Sequence, residues 1–149
     1  MKIALAADHG GWNLKAAIQN YLQKTSHQVV DLGIDQEERV DYPDFAAKVA
    51  RQVSQGRVDL GILVCGTGIG MAITANKFFF FNDTATTEIY TARMSKEHNN
   101  ANVIALGGRV LKEDQALEIV KTWLEAKFEG GRHQERLNKI AKIERENFL

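Results

Sequence analysis

Residues 60–64, Leu-Gly-Ile-Leu-Val, form an apolar run with no polar side chain to turn towards water. A strand of that composition is stable when both of its faces are covered, as in the centre of a parallel sheet between two helix layers. The run passes without a break into Cys65-Gly66-Thr67-Gly68-Ile69-Gly70 and then into a helical pattern through Asn76. The same alternation recurs along the chain. Residues 2–7 read as a short strand that ends in Asp8-His9-Gly10-Gly11, after which Leu14, Ala17, Ile18, Tyr21 and Leu22 recur at helical spacing. Val29 and Val30 open a second strand, and residues 32–42 are acidic and loop-like. Pro43 suits the first turn of a helix whose buried face is Phe45, Ala46, Val49, Ala50 and Val53. A strand over 103–106 follows the polar stretch 95–102; Ala116, Ile119, Val120, Trp123 and Leu124 then mark a helix, and another begins after Gly131.

Strands alternating with helices predict an α/β, three-layer α/β/α Rossmann-like domain with right-handed crossovers and a mostly parallel sheet of about five strands. A length of 149 residues suits one domain, 1–149, with 44% hydrophobic and 26% charged residues, as in soluble globular chains. The 19 basic and 19 acidic residues cancel, so no global field draws the chain to nucleic acid or to an anionic membrane. No apolar run approaches the roughly 20 residues needed to span a bilayer. The single cysteine excludes an internal disulfide, and the expected location is a reducing cytoplasm.

One segment breaks the pattern. Phe78, Phe79, Phe80 and Phe81 precede Asn-Asp-Thr-Ala-Thr-Thr-Glu-Ile-Tyr-Thr at 82–91, where the fold wants a strand. The stretch alternates poorly and carries Asn82 and Asp83 in its middle. Residues 82–91 are also what the genetic code gives for a common sequencing adapter, and a T-rich tract would encode the phenylalanines. Residues 78–91 are therefore expected to be foreign to the evolved chain, with a genuine buried aromatic strand as the alternative. No function is placed there.

In doubly wound sheets ligands sit beyond the carboxyl ends of the strands. Three turns there carry unusual residues: Asp8-His9-Gly10-Gly11, residues 65–70, and Gly107-Gly108-Arg109. The glycine-rich turn can aim several backbone N–H groups at one anionic oxygen, aided by a helix N-terminus. It lacks the lysine of a nucleotide-binding P-loop and the glycine spacing of a dinucleotide site. Cys65 heads that turn. As a lone cysteine it is either a small buried hydrophobe or a thiol made available as a base by the surrounding N–H dipoles. Among four histidines, His27 reads as a surface residue, whereas His9, His98 and His133 stand in informative places. Arg132 and Arg136, at i and i+4, share one helix face, as a solvated basic stripe or as a grip on a phosphate dianion. No His-x-x-x-His or Cys-x-x-Cys pair is present, so no metal is expected.

Taken together, Asp8-His9-Gly10-Gly11, Asp41-Tyr42-Pro43, residues 65–70, Ala75-Asn76-Lys77, Ala92-Arg93-Met94-Ser95, Glu97-His98-Asn99, Asn102-Val103, Gly107-Gly108-Arg109 and Glu129-Gly130-Gly131-Arg132-His133 resemble the type B ribose-5-phosphate isomerases. The match runs almost end to end and breaks only at 78–89. The resemblance implies an aldose–ketose isomerase of the pentose phosphate pathway, without cofactor or metal, acting on a small sugar phosphate. It implies a homodimer or homotetramer with active sites shared between subunits. Carried over by residue, Cys65 would move the proton between C1 and C2. Thr67 and the N–H groups of Gly66, Gly68, Ile69 and Gly70 would hold the enediolate oxygens. His98 would assist ring opening while Asp8 holds hydroxyl or ring oxygens. His9, Arg132 and Arg136 would bind phosphate, Tyr42 and Asn99 would line the sugar pocket, and Arg109 is counted with the substrate-binding set. Some relatives use a glutamate as base; the Cys-Gly-Thr-Gly pattern resembles the cysteine users.

The alternatives left open are allose 6-phosphate or galactose 6-phosphate as substrate, and a non-catalytic sugar-phosphate-binding protein on the same fold. The last would be expected to lose Cys65. A nucleotide-binding or flavodoxin-like module suits the fold but not the spacing of the phosphate loop.

Overall fold

The computed structural model describes residues 1–79 and 82–147. The elements run β1 (Lys2–Ala7), α1 (Trp12–Gln23), β2 (Gln28–Asp31), α2 (Tyr42–Ser54), β3 (Leu60–Cys65), α3 (Ile69–Ala75), β4 (Asp83–Ala85), α4 (Ile89–Glu97), β5 (Val103–Gly107), α5 (Glu113–Glu125) and α6 (Arg132–Asn147). The strands form one five-stranded sheet in the order β2-β1-β3-β5-β4, and every pairing is parallel. The alternation of apolar strands with amphipathic helices thus yields the three-layer architecture that it predicts.

β3 is buried along its whole length, which explains its unbroken apolar run. Alternate side chains divide between two cores. Ile3, Leu5, Ile62, Val64, Ile104 and Leu106 face α1, α4 and α5, where Trp123 is fully buried. Ala4, Ala6, Leu63, Cys65, Val103 and Ala105 face α2 and α3. Small residues on that second side let the helices lie close to the sheet. Lys15 of α1 is 3% exposed and ties to β2, its ammonium 2.6 Å from both carboxylate oxygens of Asp31.

The strand order reverses between β1 and β3, because β1 leads to β2 on one side and the chain then returns to place β3 on the other. Asp8 leaves β1 and Cys65 ends β3 at this switch point, where diverging loops open a crevice.

Two differences from the sequence reading stand out. The polar stretch 95–102 is partly helical: Ser95, Lys96 and Glu97 complete α4, with Ala92 and Ser95 turned inward. The periodicity is weak because those inward positions are small, so few large apolar residues mark the face. The strand wanted in 78–91 shrinks to three residues. Phe80 and Phe81 lie outside the described residues, Phe79 is exposed, and Phe78 packs beside the α2–α3 core. Asp83 pairs in register with buried Val103, and neither of its carboxylate oxygens finds a hydrogen-bond partner. Burial pushes its pKa from 3.8 up to about 7, against a smaller lowering by the Thr84 backbone.

Candidate active site

At the carboxyl edge three turns meet backbone to backbone. A Cβ on Gly10 would stand 2.9 Å from the Gly66 nitrogen, and one on Gly108 would stand 2.5 Å from the Gly10 carbonyl oxygen. Only residues without side chains let these turns touch. The Gly108 N–H donates to the Cys65 carbonyl (2.7 Å) and the Arg109 N–H to that of Gly66 (3.0 Å), which stitches the β5 turn to the β3 turn.

Cys65 is 4% exposed, and its Sγ accepts the Gly68 N–H at 3.1 Å. That geometry requires Gly68 to adopt φ +82°, in the left-handed region, with Ala105 and Leu106 backbone atoms 3.1 Å from where a Cβ would lie. The Gly68 N–H therefore serves the sulfur rather than an incoming oxygen. The Ile69 N–H lies 3.4 Å from Thr67 Oγ1, on an exposed threonine. α3 has only seven residues, so the individual N–H groups of the turn matter more than a helix dipole.

Around this turn stand several of the residues singled out from sequence. Asp8 is buried and accepts the Gly10 N–H on Oδ1 at 2.8 Å, so part of its role is to shape the β1 turn. His9 Nδ1 lies 3.1 Å from the Val40 carbonyl oxygen, which fixes the ring against the loop before α2. The Tyr42 ring lies over Gly70, 2.6 Å from the position of a Cβ there, and the Arg109 guanidinium lies against Gly66. One edge of one chain thus gathers Asp8, His9, Tyr42, residues 65–70 and Arg109.

His98, Asn99, Arg132 and Arg136 are elsewhere. In a parallel crossover the helix runs antiparallel to its strands, so its carboxyl end lies at the amino edge of the sheet. His98 caps α4 there, its N–H donating to the Met94 carbonyl at 2.8 Å. The chain returns to the same edge after α5, where the Glu129 N–H donates to the Glu97 carbonyl at 2.9 Å. Gly130 (φ +68°) and Gly131 (φ +54°) then turn it into α6. The His133 ring stacks on that of His98, with centroids 4.1 Å apart and planes at 9°. The second cluster thus stands at the edge remote from Cys65. The five residues of β5, at about 3.3 Å each, separate the two by about 16 Å. His27 lies near the amino terminus of the chain, apart from both clusters.

The family model described as Ribose/Galactose Isomerase matches residues 3–140. The chain belongs to the ribose/galactose isomerase family. It is 46% identical over 143 residues to ribose-5-phosphate isomerase B of Escherichia coli, covering 96% of each chain. Among solved structures, ribose-5-phosphate isomerase B of Clostridium thermocellum superposes with a TM-score of 0.96 at 51% identity, over 98% of this chain and 99% of that one. The enzyme of Mycoplasma genitalium, solved with bound ribulose-5-phosphate, gives 0.94 at 41% identity over 98% and 97%.

Beside His98 stand His133, which the sequence marks as informative without giving it a role, and Glu129, which spacing leaves aside. His133 is buried, with Nε2 3.3 Å from Glu129 Oε2, yet that nitrogen makes no hydrogen bond. Burial first, then His98, Arg132 and Arg136, hold the His133 pKa below 6.5, while Glu129 opposes them. Glu129 was read only as part of a motif, because its neighbour His98 is 31 residues away.

Proposed function

We propose that this isomerase interconverts ribose 5-phosphate and ribulose 5-phosphate through an enediolate, with Cys65 as the base. The observation that carries the assignment to this cysteine is the Gly68 N–H aimed at Sγ at the β1–β3 switch point. That donor fixes the sulfur at the head of the turn, where it is placed as a base towards a substrate in the crevice.

In the open-chain aldose, Cys65 takes the proton from C2, and the electron pair shifts towards the C1 carbonyl to give the enediolate. Return of the proton to C1, with the hydroxyl proton of O2 passing to O1, leaves the ketose, so nothing is consumed and no redox partner is required. Charge developing on the two oxygens falls to the Thr67 hydroxyl and to the turn's N–H groups not committed to sulfur. The Asp8 oxygen not used by Gly10 takes a substrate hydroxyl. Tyr42 over Gly70 walls the pocket, with Arg109 beyond Gly66.

The rest of the site comes from a second copy of the chain. His98, which would move the proton that opens the furanose ring, and Arg132 and Arg136, which would hold the phosphate, lie at the far edge of their own sheet. Two-fold pairing can bring that edge of one chain to the carboxyl edge of its partner. Two exposed apolar surfaces support such pairing: Ile69 and Ile73 on α3 beside the Cys65 turn, and Ile140 and Ile143 on α6 beyond the arginines. α6 stands off its own body across a groove of about 790 Å³ that Asn99, Asn138 and Ile143 help to line. Among the described residues no helix is long and apolar enough to cross a membrane. The working place we assign to the enzyme is the cytoplasm, where a lone free cysteine is kept as the thiol.

The test is conversion of ribose 5-phosphate with EDTA present, for the parent and for Cys65→Ala. The parent converts it, and the variant stays folded but loses on the order of 10²–10⁴-fold in kcat. A folded parent inactive on ribose 5-phosphate but active on a six-carbon sugar phosphate would overturn the substrate assignment.

A further inference from the structure

We propose that His133 is a positioning residue of the isomerase: it lies flat against the imidazole of His98 and holds that ring in one plane, while Glu129 holds His133 in turn. The proposal rests on the ring-opening role given to His98 above. The two rings form a face-to-face stack, with centroids 4.1 Å apart and planes at 9°. His98 follows the last turn of α4, and a proton passes to or from it only in the plane of its ring. A flat partner on one face fixes that plane.

Three features separate this stack from two side chains that merely touch. His133 is 5% exposed, its Nε2 stands 3.3 Å from Glu129 Oε2, and that nitrogen makes no hydrogen bond. An apolar side chain would fill the same space without burying a polar atom, so packing alone does not account for a histidine there. The stack is also framed by the backbone. The Glu129 N–H donates to the carbonyl of Glu97, the residue before His98, at 2.9 Å, and the His133 N–H donates to the Gly130 carbonyl at 3.0 Å. On the other side Lys96 Nζ donates to the Ala101 carbonyl at 2.9 Å and closes the loop that carries His98. The third feature is charge. Burial first, then His98, Arg132 and Arg136, hold the His133 pKa below 6.5 against the pull of Glu129, so at neutral pH the ring is uncharged. An uncharged ring leaves room for a proton on His98, which a second imidazolium would repel.

The experiment compares two readouts in the intact protein. One is turnover of ribose 5-phosphate, which arrives as a closed furanose. The other is exchange of a C1 hydrogen of ribulose 5-phosphate with solvent deuterium, which needs the enediolate but no ring opening. Ribulose 5-phosphate cannot close a furanose, because its O5 carries the phosphate. His133→Ala should lower kcat for ribose 5-phosphate by about 10–100-fold, with KM and the exchange rate each within about threefold of the parent. His133→Gln, whose flat amide can lie on His98 and carry a nitrogen towards Glu129, should recover most of the loss. Unchanged turnover in His133→Ala, equal losses of turnover and exchange, a rise in KM with kcat intact, or no recovery in the glutamine variant would each overturn the proposal. His98→Asn keeps the two claims apart. If it loses exchange as fully as turnover, the ring-opening role falls and the proposal with it; if it splits the two readouts and His133→Ala does not, only the positioning role is lost.

Discussion

Cys65 and His98 stand at opposite edges of the same sheet, Cys65 at the carboxyl end of β3 and His98 at the carboxyl end of α4, which lies at the amino edge. A rigid α/β layer gives neither side chain a route to the other. If both serve one substrate, the catalytic unit is an assembly, and the surfaces that form it are as necessary as the base.

That dependence makes the apolar residues of α6 important to activity. Ile140→Asp with Ile143→Asp removes exposed side chains that fill no core of their own chain, so the monomer should keep its fold. Sedimentation should show a smaller species, and turnover should fall by at least about 100-fold from loss of positioned groups. A monomer with full activity would show that one chain carries the whole site.

The turn that presents Cys65 is set by backbone geometry. Gly68→Ala puts a Cβ 3.1 Å from the backbone of Ala105 and Leu106 at φ +82°, a strain of about 1–3 kcal/mol. Relief moves the N–H off the sulfur. Chemical denaturation should show that loss, and kcat should fall more than KM rises.

Asp83 carries a pH signature. Its pKa is raised from 3.8 to about 7 in the fold, so the folded chain binds a proton that the unfolded chain releases over that interval. Stability should therefore fall as pH rises from about 4 to 7 and level off above. Asp83→Val should flatten the dependence and stabilise the protein at pH 8 by at most about 4 kcal/mol. The orphaned carboxylate marks a strand position that the sequence fills poorly. Denaturant midpoints of parent and variant across pH decide the matter.

Lys15 and Asp31 are bound as a pair. Asp31→Ala leaves a buried ammonium without its closest counter-charge and should cost at least about 2 kcal/mol. Replacing both, as Lys15→Met with Asp31→Val, should recover most of that loss, as a double-mutant cycle in urea would measure.

Much of this was legible in the chain. The apolar run at 60–64 and the helical spacings on either side of it require covered parallel strands, and the Gly-rich turns at the strand ends locate one half of the site. α4 was hidden because small Ala92 and Ser95 mark its inner face. That Cys65 and His98 stand apart within one chain follows from the elements they end, a strand for one and a helix for the other, which in a parallel crossover means opposite edges; in the sequence the sharing of sites between subunits came only as what the resemblance implies. The cluster of His98 with Glu129 and His133 escaped spacing rules because α5 intervenes and only the Gly130-Gly131 turn brings the chain back.

The most direct measurement mixes two inactive variants, Cys65→Ala and His98→Asn, unfolded together and refolded, and assays ribose 5-phosphate isomerisation. If each site takes Cys65 from one chain and His98 from the other, half of the dimers are mixed and each holds one intact site, so about a quarter of parental activity should return. Activity no higher than that of either variant alone, with mixed dimers demonstrated, would contradict the shared site.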